Sequence, residues 1–421
     1  MASTKNKVLI TVLAGLLLLI GAFSWIMQFR TGLGVTGLAN GFSWGLYIAN
    51  FAFFIGLAAG GMIISSSIYL FNVEKLRPFA RIASLSAFGC TLAAGVMVLL
   101  DLGKITNILN MFIHPNLASP LLWDVAVVTL YMIITFLSVY FQMLPEWKRT
   151  NFFLAGWTKR KDLSDVEAFS KRWSKRVAIV GLPFAVLIHT VTALIFATQS
   201  SRHWWNTAVL PPDFVAMAVA SGTALVLVIC MITVGKKGFV VHKDAFAIMA
   251  KITAGSLVVH FFFTAMELIL LAWESSLSSQ EVLHLVMGEY GWMYAIELIL
   301  PALAMLGFFF KRIAHNRMLL FGGSLCVILG AFVHRLMLMY PGFNAIPLAI
   351  EPVGTAALWA YPISNGIQEA GSTFATHVAY MPTVLEWGVA LFSFGLAVLI
   401  IGGGIAYFRF IADEYRNTDA L

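Results

Sequence analysis

Ten apolar segments, each long enough to cross a bilayer, occupy most of this 421-residue chain and restrict its fold. A transmembrane helix needs about 20 consecutive, mainly apolar residues. The segments lie at 8–28, 43–71, 79–101, 121–144, 177–199, 213–234, 245–273, 292–310, 317–340 and 385–409. No alternating strand pattern competes with them. The sequence therefore predicts an all-α polytopic membrane protein with ten transmembrane helices.

Lysine and arginine are distributed unevenly between the two ends of these segments. Of 27 basic residues, 22 lie in the N-terminus, the even-numbered loops and the C-terminus, and only Arg30, Lys104 and Arg202 lie in the odd-numbered loops. Basic loops mark the cytoplasmic side, so both termini are predicted to be cytoplasmic, in a bacterial inner membrane. The net charge of +7 reflects this topology and contact with membrane lipid, and it does not indicate nucleic-acid binding.

Three cysteines, Cys90, Cys230 and Cys326, each stand alone in a predicted helix. Without cysteine pairs, the chain is expected to hold no iron–sulfur cluster of its own and no disulfide framework. Segment 8–28 resembles a signal peptide but lacks small residues at its end, so we expect a retained helix. His189 and His260 both lie at mid-membrane, which leaves one haem b between them as an alternative.

Ionisable side chains inside the predicted helices are costly in hydrocarbon and are therefore candidate functional groups. Most of them lie in the outer half or the middle of their helices. They are Asp101, Asp124, His189, His260, Glu267, Glu297, His334, Arg335 and Glu386, with Lys104 one turn beyond Asp101.

Several of these residues also have a purely structural interpretation. Asp101 and Lys104 would form an ion pair at i, i+3, and Asp124 would cap its helix. Asp213, after two prolines, is predicted to be an N-cap. Lys251 lies close enough to the cytoplasmic end of its helix to extend its ammonium group to the interface.

The remaining ionisable residues also have structural interpretations. His189 would bond a neighbouring carbonyl, and His334 and Arg335 would pair with Glu297 or with Glu386. Glu267 is the hardest to explain structurally, because it lies about one and a half turns inside its helix.

Several motifs resemble the NrfD/polysulfide-reductase-C family over residues 43–409. They are Trp44-Gly45-Leu46-Tyr47-Ile48-Ala49-Asn50-Phe51, Asp101-Leu102-Gly103-Lys104, Ser119-Pro120-Leu121-Leu122-Trp123-Asp124, His189-Thr190-Val191, Pro211-Pro212-Asp213-Phe214 and Pro382-Thr383 with Glu386-Trp387. Their order is similar to the ten-helix branch of that family, which includes Qrc-type menaquinone reductases.

The resemblance implies a quinone-binding subunit without haem or an iron–sulfur cluster, with menaquinone as its substrate. It implies two four-helix bundles, helices 2–5 and 6–9, flanked by helices 1 and 10. The corresponding regions are 1–42, 43–199 for the first bundle, 200–340 for the second, and 341–421 for a long periplasmic loop and the last helix. A periplasmic ferredoxin-like iron–sulfur subunit would dock on the outer face, with molybdopterin-type and multihaem cytochrome c subunits as further partners.

Carried over by position, the quinone-binding residues would be Trp44, Asn50, Asp101, Lys104 and Asp124. The proton route would use His189, His260, Glu267, Glu297 and Arg335, and no metal site is expected.

Two departures from the family pattern put proton pumping in doubt. Ala59 and Ile195 stand where alternative complex III has a histidine and an aspartate.

A secondary transporter is the alternative from another functional class. Such proteins use helices interrupted at mid-depth, and Pro183 and Pro301 are weak signals of this kind.

Overall fold

The computed structural model describes residues 4–39, 41–345, 361–362, 374–375, 380–408 and 410. Its α-helices are α1 (Thr4–Thr31), α2 (Leu46–Leu70), α3 (Ala80–Asp101), α4 (Asn107–Ile113), α5 (Pro120–Arg149), α6 (Leu163–Ala197), α7 (Leu210–Val241), α8 (Lys243–Trp273), α9 (Leu277–His284), α10 (Gly291–Phe309), α11 (Lys311–Ala314), α12 (Arg317–Asn344), α13 (Val384–Ala397) and α14 (Gly403–Tyr407). Short 3-10 helices lie at Leu33–Val35, Glu74–Phe79 and Phe153–Thr158, and π-helical turns at Leu285–Glu289 and Val398–Gly402. Strands β1 (Tyr361–Pro362) and β2 (Phe374–Ala375) pair antiparallel.

The part of the chain that the structure describes contains ten helical stretches long and apolar enough to span a membrane, which confirms the predicted number. They are α1, α2, α3, α5, α6, α7, α8, α10, α12, and α13 continuing into α14. We call the end of the molecule that carries Lys75, Lys148 and Lys311 the basic face, and the opposite end the neutral face. Most of the predicted outer loop 341–384, including Glu351 and Glu369, lies outside the described residues.

The helices form the two expected bundles. Helices α2, α3, α5 and α6 contact one another in a closed ring, and so do α7, α8, α10 and α12. Helix α2 packs on α7 and joins the bundles, while α1 packs on α13 at the side. The most apolar stretch of α2 is 94% buried and that of α1 only 17%, so α2 is the central helix and α1 a peripheral one.

Glycines allow the two bundles to approach closely. A Cβ atom added at Gly60 of α2 would lie 2.2 Å from the backbone of Gly222 in α7. A Cβ atom added at Gly61 would lie 2.4 Å from the Ala83 carbonyl oxygen of α3. Small residues at both positions therefore let α2 contact two helices at backbone distance.

Helix α6 begins at Leu163, well before the apolar segment predicted at 177–199. Val166, Ser170 and Ser174 are buried at a spacing of four residues. This buried stripe extends the helix through the basic segment, since the charged residues occupy its other face.

Prolines inside the helices do not interrupt them at mid-depth. Helices α6 and α10 continue through Pro183 and Pro301. The proline signal for a transporter is therefore not accompanied by broken helices. Helix α7 has non-helical backbone angles at Gly235, which is near its end at the basic face.

Pro341 lies in the last turns of α12 and has no N–H to donate to the carbonyl of Met337. The indole N–H of Trp204 donates to that carbonyl instead, at 3.0 Å. The neighbouring Trp205 donates to the Leu338 carbonyl at 2.7 Å. The connection between α6 and α7 is thereby fixed to the end of α12.

Candidate functional site

The structure places the five predicted quinone-binding residues in four separate surroundings at the neutral half of the molecule. Asn50 and Asp101 lie in a polar cluster between α1, α2, α3 and α13. Asp124 lies between α5 and α6, and Trp44 lies among aromatic rings. Lys104 is exposed in the turn after α3.

The first surroundings are a buried group that we call the amide cluster: Gln28, Tyr47, Asn50, Asp101 and Ser393. The Tyr47 hydroxyl donates to Gln28 Oε1 at 2.6 Å, and Gln28 Nε2 donates to the carbonyl of Leu100 at 3.0 Å. Asn50 Nδ2 donates to Ser393 Oγ at 2.7 Å. These bonds tie four helices together around polar groups that hydrocarbon cannot solvate.

Two oxygen atoms of the amide cluster have no hydrogen bond to any residue that the structure describes. They are Asp101 Oδ1 and Asn50 Oδ1, and both atoms are buried. Asp101 ends α3 and interacts electrostatically with Tyr47 and Glu386. Buried acceptors are normally satisfied, so these two atoms can each accept a hydrogen bond from a donor outside the described residues.

Glu386 is fully buried beside the amide cluster and accepts three hydrogen bonds from two segments, the α1–α2 connection and the residues before α13. Its Oε2 accepts from the backbone N–H groups of Gly37 and Thr383, each at 2.8 Å, and its Oε1 accepts from the Tyr380 hydroxyl at 2.7 Å. Tyr380 in turn accepts from the N–H of Leu46 at 2.8 Å, in the first turn of α2. We call this group the Glu386 latch. Burial, followed by the Glu386 charge, raises the pKa of Tyr380, so its hydroxyl remains a donor.

Sequence reasoning did not assign Gln28, Tyr47, Tyr380 and Ser393 to a site. Gln28 is a polar residue near the outer end of an apolar helix, which was an available signal. Ser393 lies seven residues after Glu386 and hence on the same face of α13. Tyr380 precedes α13 and is not part of a periodic helical pattern that would have indicated its role.

Trp44 and Asp124 have different partners. The Trp44 ring stacks on Trp205 with 6.2 Å between centroids and meets Phe196 edge-on. Asp124 is buried and accepts a hydrogen bond from Thr192 Oγ1 at 2.6 Å. It is not a helix cap, because α5 already begins at Pro120.

His189 lies between α6 and α2. Its Nδ1 is 2.7 Å from the Ala185 carbonyl oxygen and its Nε2 is 3.2 Å from that of Ile55. Both ring nitrogens are therefore occupied, and a haem iron shared with His260 would have to displace one of these contacts. The structural interpretation of His189, a bond to a neighbouring carbonyl, is confirmed.

The second bundle contains a chain of buried acids and histidines that we call the histidine chain: His260, Asp213, His334 and Glu297. His260 Nδ1 is 2.6 Å from Asp213 Oδ1, and His334 Nε2 is 3.4 Å from Asp213 Oδ2. His334 Nδ1 is 2.7 Å from Glu297 Oε1. The expected pairing of His334 with Glu297 is thus confirmed.

The predicted N-cap role of Asp213 is wrong. Helix α7 begins at Leu210, with prolines in its first turn, so Asp213 lies inside the helix and its carboxylate is bound by the two histidines. Proline favours the first helical position, and the Pro211-Pro212 pair could have indicated the earlier start.

Glu267 and Arg335 adjoin the histidine chain. Glu267 lines a small cavity together with Asp213, Glu297 and His334. The buried guanidinium of Arg335 lies 3.8 Å from the centroid of the Phe214 ring and interacts with the charges of Asp213 and Glu297.

Potential ligand atoms of His260, Glu297 and His334 lie within 4.8 Å of one another, a spacing that a metal ion could use. Arg335 already supplies positive charge to the carboxylates there.

Comparisons with known proteins agree with this architecture. The family model described as "Polysulphide reductase, NrfD" matches residues 34–347. The chain is 30% identical to a putative membrane subunit of a dimethyl sulfoxide reductase from Halobacterium salinarum, covering 96% of this chain and 92% of that protein. It is 24% identical to a selenate reductase subunit of Mesobacillus selenatarsenatis (94% and 92%) and 21% identical to the integral membrane subunit of a menaquinone reductase of Nitratidesulfovibrio vulgaris (94% and 89%).

Proposed function

Because this chain belongs to the NrfD family of oxidoreductase membrane subunits, we propose that it exchanges electrons between menaquinone and a redox partner subunit at its neutral face. A general role in quinone-linked respiration follows from the family. The use of menaquinone is taken from the name of the Nitratidesulfovibrio relative and is part of the proposal.

The amide cluster is the proposed site for the quinone head group. The observation that carries this proposal is the pair of buried, unpartnered oxygens, Asp101 Oδ1 and Asn50 Oδ1. A quinol has two hydroxyl donors, and these oxygens are acceptors of the right kind for them. Oxidation of one quinol releases two electrons to the partner and two protons, and Asp101 is the group positioned to take the first proton.

This proposal gives supporting roles to Trp44, Asp124 and Lys104. Trp44 lies among aromatic rings near the start of α2, where it would border the path of the apolar tail. Asp124 is held by Thr192 in the same bundle. Lys104 is exposed beyond Asp101, where it would contact a partner subunit.

The histidine chain is the proposed proton route, with Glu267 at its cavity. His260 is hydrogen-bonded to Asp213 and His334 to Glu297, and the two pairs meet where His334 Nε2 lies 3.4 Å from Asp213 Oδ2. A proton could pass along these adjacent carboxylate and imidazole groups. Arg335 stabilises the carboxylates, and His189 lies between α6 and α2 in the first bundle.

The proposed partner is a ferredoxin-like iron–sulfur subunit on the neutral face, with a molybdopterin-type catalytic subunit or a multihaem cytochrome c beyond it. The surface around α4 exposes Leu109, Phe112, Ile113 and Leu117, which are between 56% and 75% accessible. Apolar side chains in a connection of this kind favour a covering subunit or the membrane interface. A partner reached from this face would lie at the same end of the molecule as Asp101.

The test is Asp101→Asn in the assembled complex, assayed as oxidation of a menaquinol analogue by the complex's own acceptor. Loss of a positioned proton acceptor costs about 10²–10⁴-fold in rate, so kcat should fall by at least about 100-fold while the subunits still co-purify. The matched control is Glu274→Gln, an exposed acid at the neutral face with a 50% accessible side chain, which should retain wild-type activity. Wild-type kcat in Asp101→Asn would refute the assignment.

A further inference from the structure

A pocket at the basic face lies where the α2–α3 connection, α8 and the α10–α11 turn meet. Its polar lining is almost entirely cationic: Lys75, Lys251, Lys311 and His315, with Asp244 as the one acidic residue. Neither bundle cluster includes any of these residues, and the proposed quinone chemistry does not use them.

Lys251 is the least expected member of this lining. It lies eight residues beyond Lys243, the first residue of α8, which corresponds to about 12 Å along the helix. Its side chain is exposed rather than packed in the bundle. A lysine at that depth extends its ammonium group towards the interface, which leads it into this pocket.

The charges of the pocket are not balanced by the protein. Lys75 pairs with Asp244 at 3.0 Å, which uses the acidic group. Lys251 and Lys311 form no ion pair within the described ranges. The pocket therefore offers two unmatched positive charges, those of Lys251 and Lys311.

The remaining wall of the pocket is apolar and opens towards the lipid-facing surface. Ile248, Phe308 and Phe309 line it, and Phe309 is 52% exposed. Paired ammonium groups suit a phosphate, and the exposed apolar wall suits an acyl chain. We propose that this pocket is a specific site for an anionic phospholipid, with its phosphate between Lys251 and Lys311 and its acyl chains along Phe309.

The experiment uses the purified full-length protein and measures retained lipid by native mass spectrometry. Phosphatidylglycerol is titrated against phosphatidylcholine as the neutral competitor. Lys251→Gln/Lys311→Gln should bind phosphatidylglycerol about 30-fold more weakly, because each lysine near a membrane surface contributes about 1 kcal/mol and about 1.4 kcal/mol is tenfold. The matched control is Lys236→Gln/Lys237→Gln, which removes two exposed charges at the basic face outside the pocket and should leave binding within about threefold.

Several results would overturn the proposal. Equal weakening in both double variants would show diffuse attraction rather than a site, and so would equal retention of the two lipids by the wild type. Displacement of the lipid by millimolar inorganic phosphate would assign the pocket to a soluble phosphate. Lys251→Arg/Lys311→Arg keeps the charges, and its failure to retain phosphatidylglycerol while unfolding at the wild-type temperature would also contradict the assignment.

Discussion

Removing the carboxylate of Glu386 should destabilise the neutral face more than any change to an exposed acid. The side chain is fully buried and satisfies three donors: the N–H groups of Gly37 and Thr383 and the hydroxyl of Tyr380. In Glu386→Ala each donor loses its acceptor in a place that water does not easily reach. At about 1–3 kcal/mol for each buried, unsatisfied group, we expect a loss of about 3–9 kcal/mol in the free energy of unfolding.

Glu386→Gln tests whether the charge or the shape is responsible. The amide oxygen can still accept from the two backbone N–H groups, while the amide nitrogen faces the Tyr380 oxygen, which already accepts from Leu46. Only the Tyr380 hydroxyl then loses its acceptor, so the free energy of unfolding is expected to fall by a smaller amount, about 1–3 kcal/mol.

The assay is denaturant unfolding of the purified protein in mild detergent, followed by tryptophan fluorescence. Glu274→Gln is the control, because exposed charges of this kind contribute about 0–1 kcal/mol. The expected order of destabilisation is Glu386→Ala, then Glu386→Gln, then the control. A Glu386→Ala protein within about 1 kcal/mol of the control would show that the three donors find water, and the latch would then have no structural role.

Other contacts in the two bundles and the latch give three further predictions. Asp213→Asn leaves His260 and His334 without their shared carboxylate, so proton-linked activity in the complex should fall at least about 10-fold, whereas unchanged activity would remove the histidine chain from the proton route. Gly222→Val places a side chain against the backbone of Gly60 and should destabilise the protein by about 1–3 kcal/mol or more in the same unfolding assay; a wild-type midpoint would contradict the close approach of α2 and α7. The pKa of Tyr380 is raised in the folded state, so the contribution of its hydroxyl to the free energy of unfolding is complete below about pH 10 and is lost as the pH rises further. Between about pH 9 and 11, the Tyr380→Phe protein should therefore not show this decrease in the free energy of unfolding.

The spanning helices could be predicted because hydrocarbon leaves a spanning chain few options. The length of the apolar segments alone located ten helices. The observed helix ends differ from the predicted ones where a buried stripe continues into a basic segment, as at Val166 and Ser170 of α6. The grouping into two bundles came from the family resemblance, since apolar segments alone do not indicate which helices pack together.

The candidate site was predicted less completely because its groups meet across distant parts of the chain. The family resemblance assigned Asp101 and Asn50 to one site, but the cluster they form also depends on Gln28 and Ser393, which carry no charge. Asp213 was assigned to a helix cap from its position after proline. Only the packing of α8 and α12 against α7 shows that two histidines bind it.

Pro341 and Trp204 have a consequence for how this sequence can vary. The proline removes one intrahelical hydrogen bond at Met337, and the indole of Trp204 restores it from another segment. The proline without the indole leaves a bare carbonyl, whereas the indole without the proline shares that carbonyl with a helical N–H. The two positions are therefore expected to change together in related chains, and a double-mutant cycle of Trp204→Phe and Pro341→Ala should show a non-additive energy of about 0.5–3 kcal/mol.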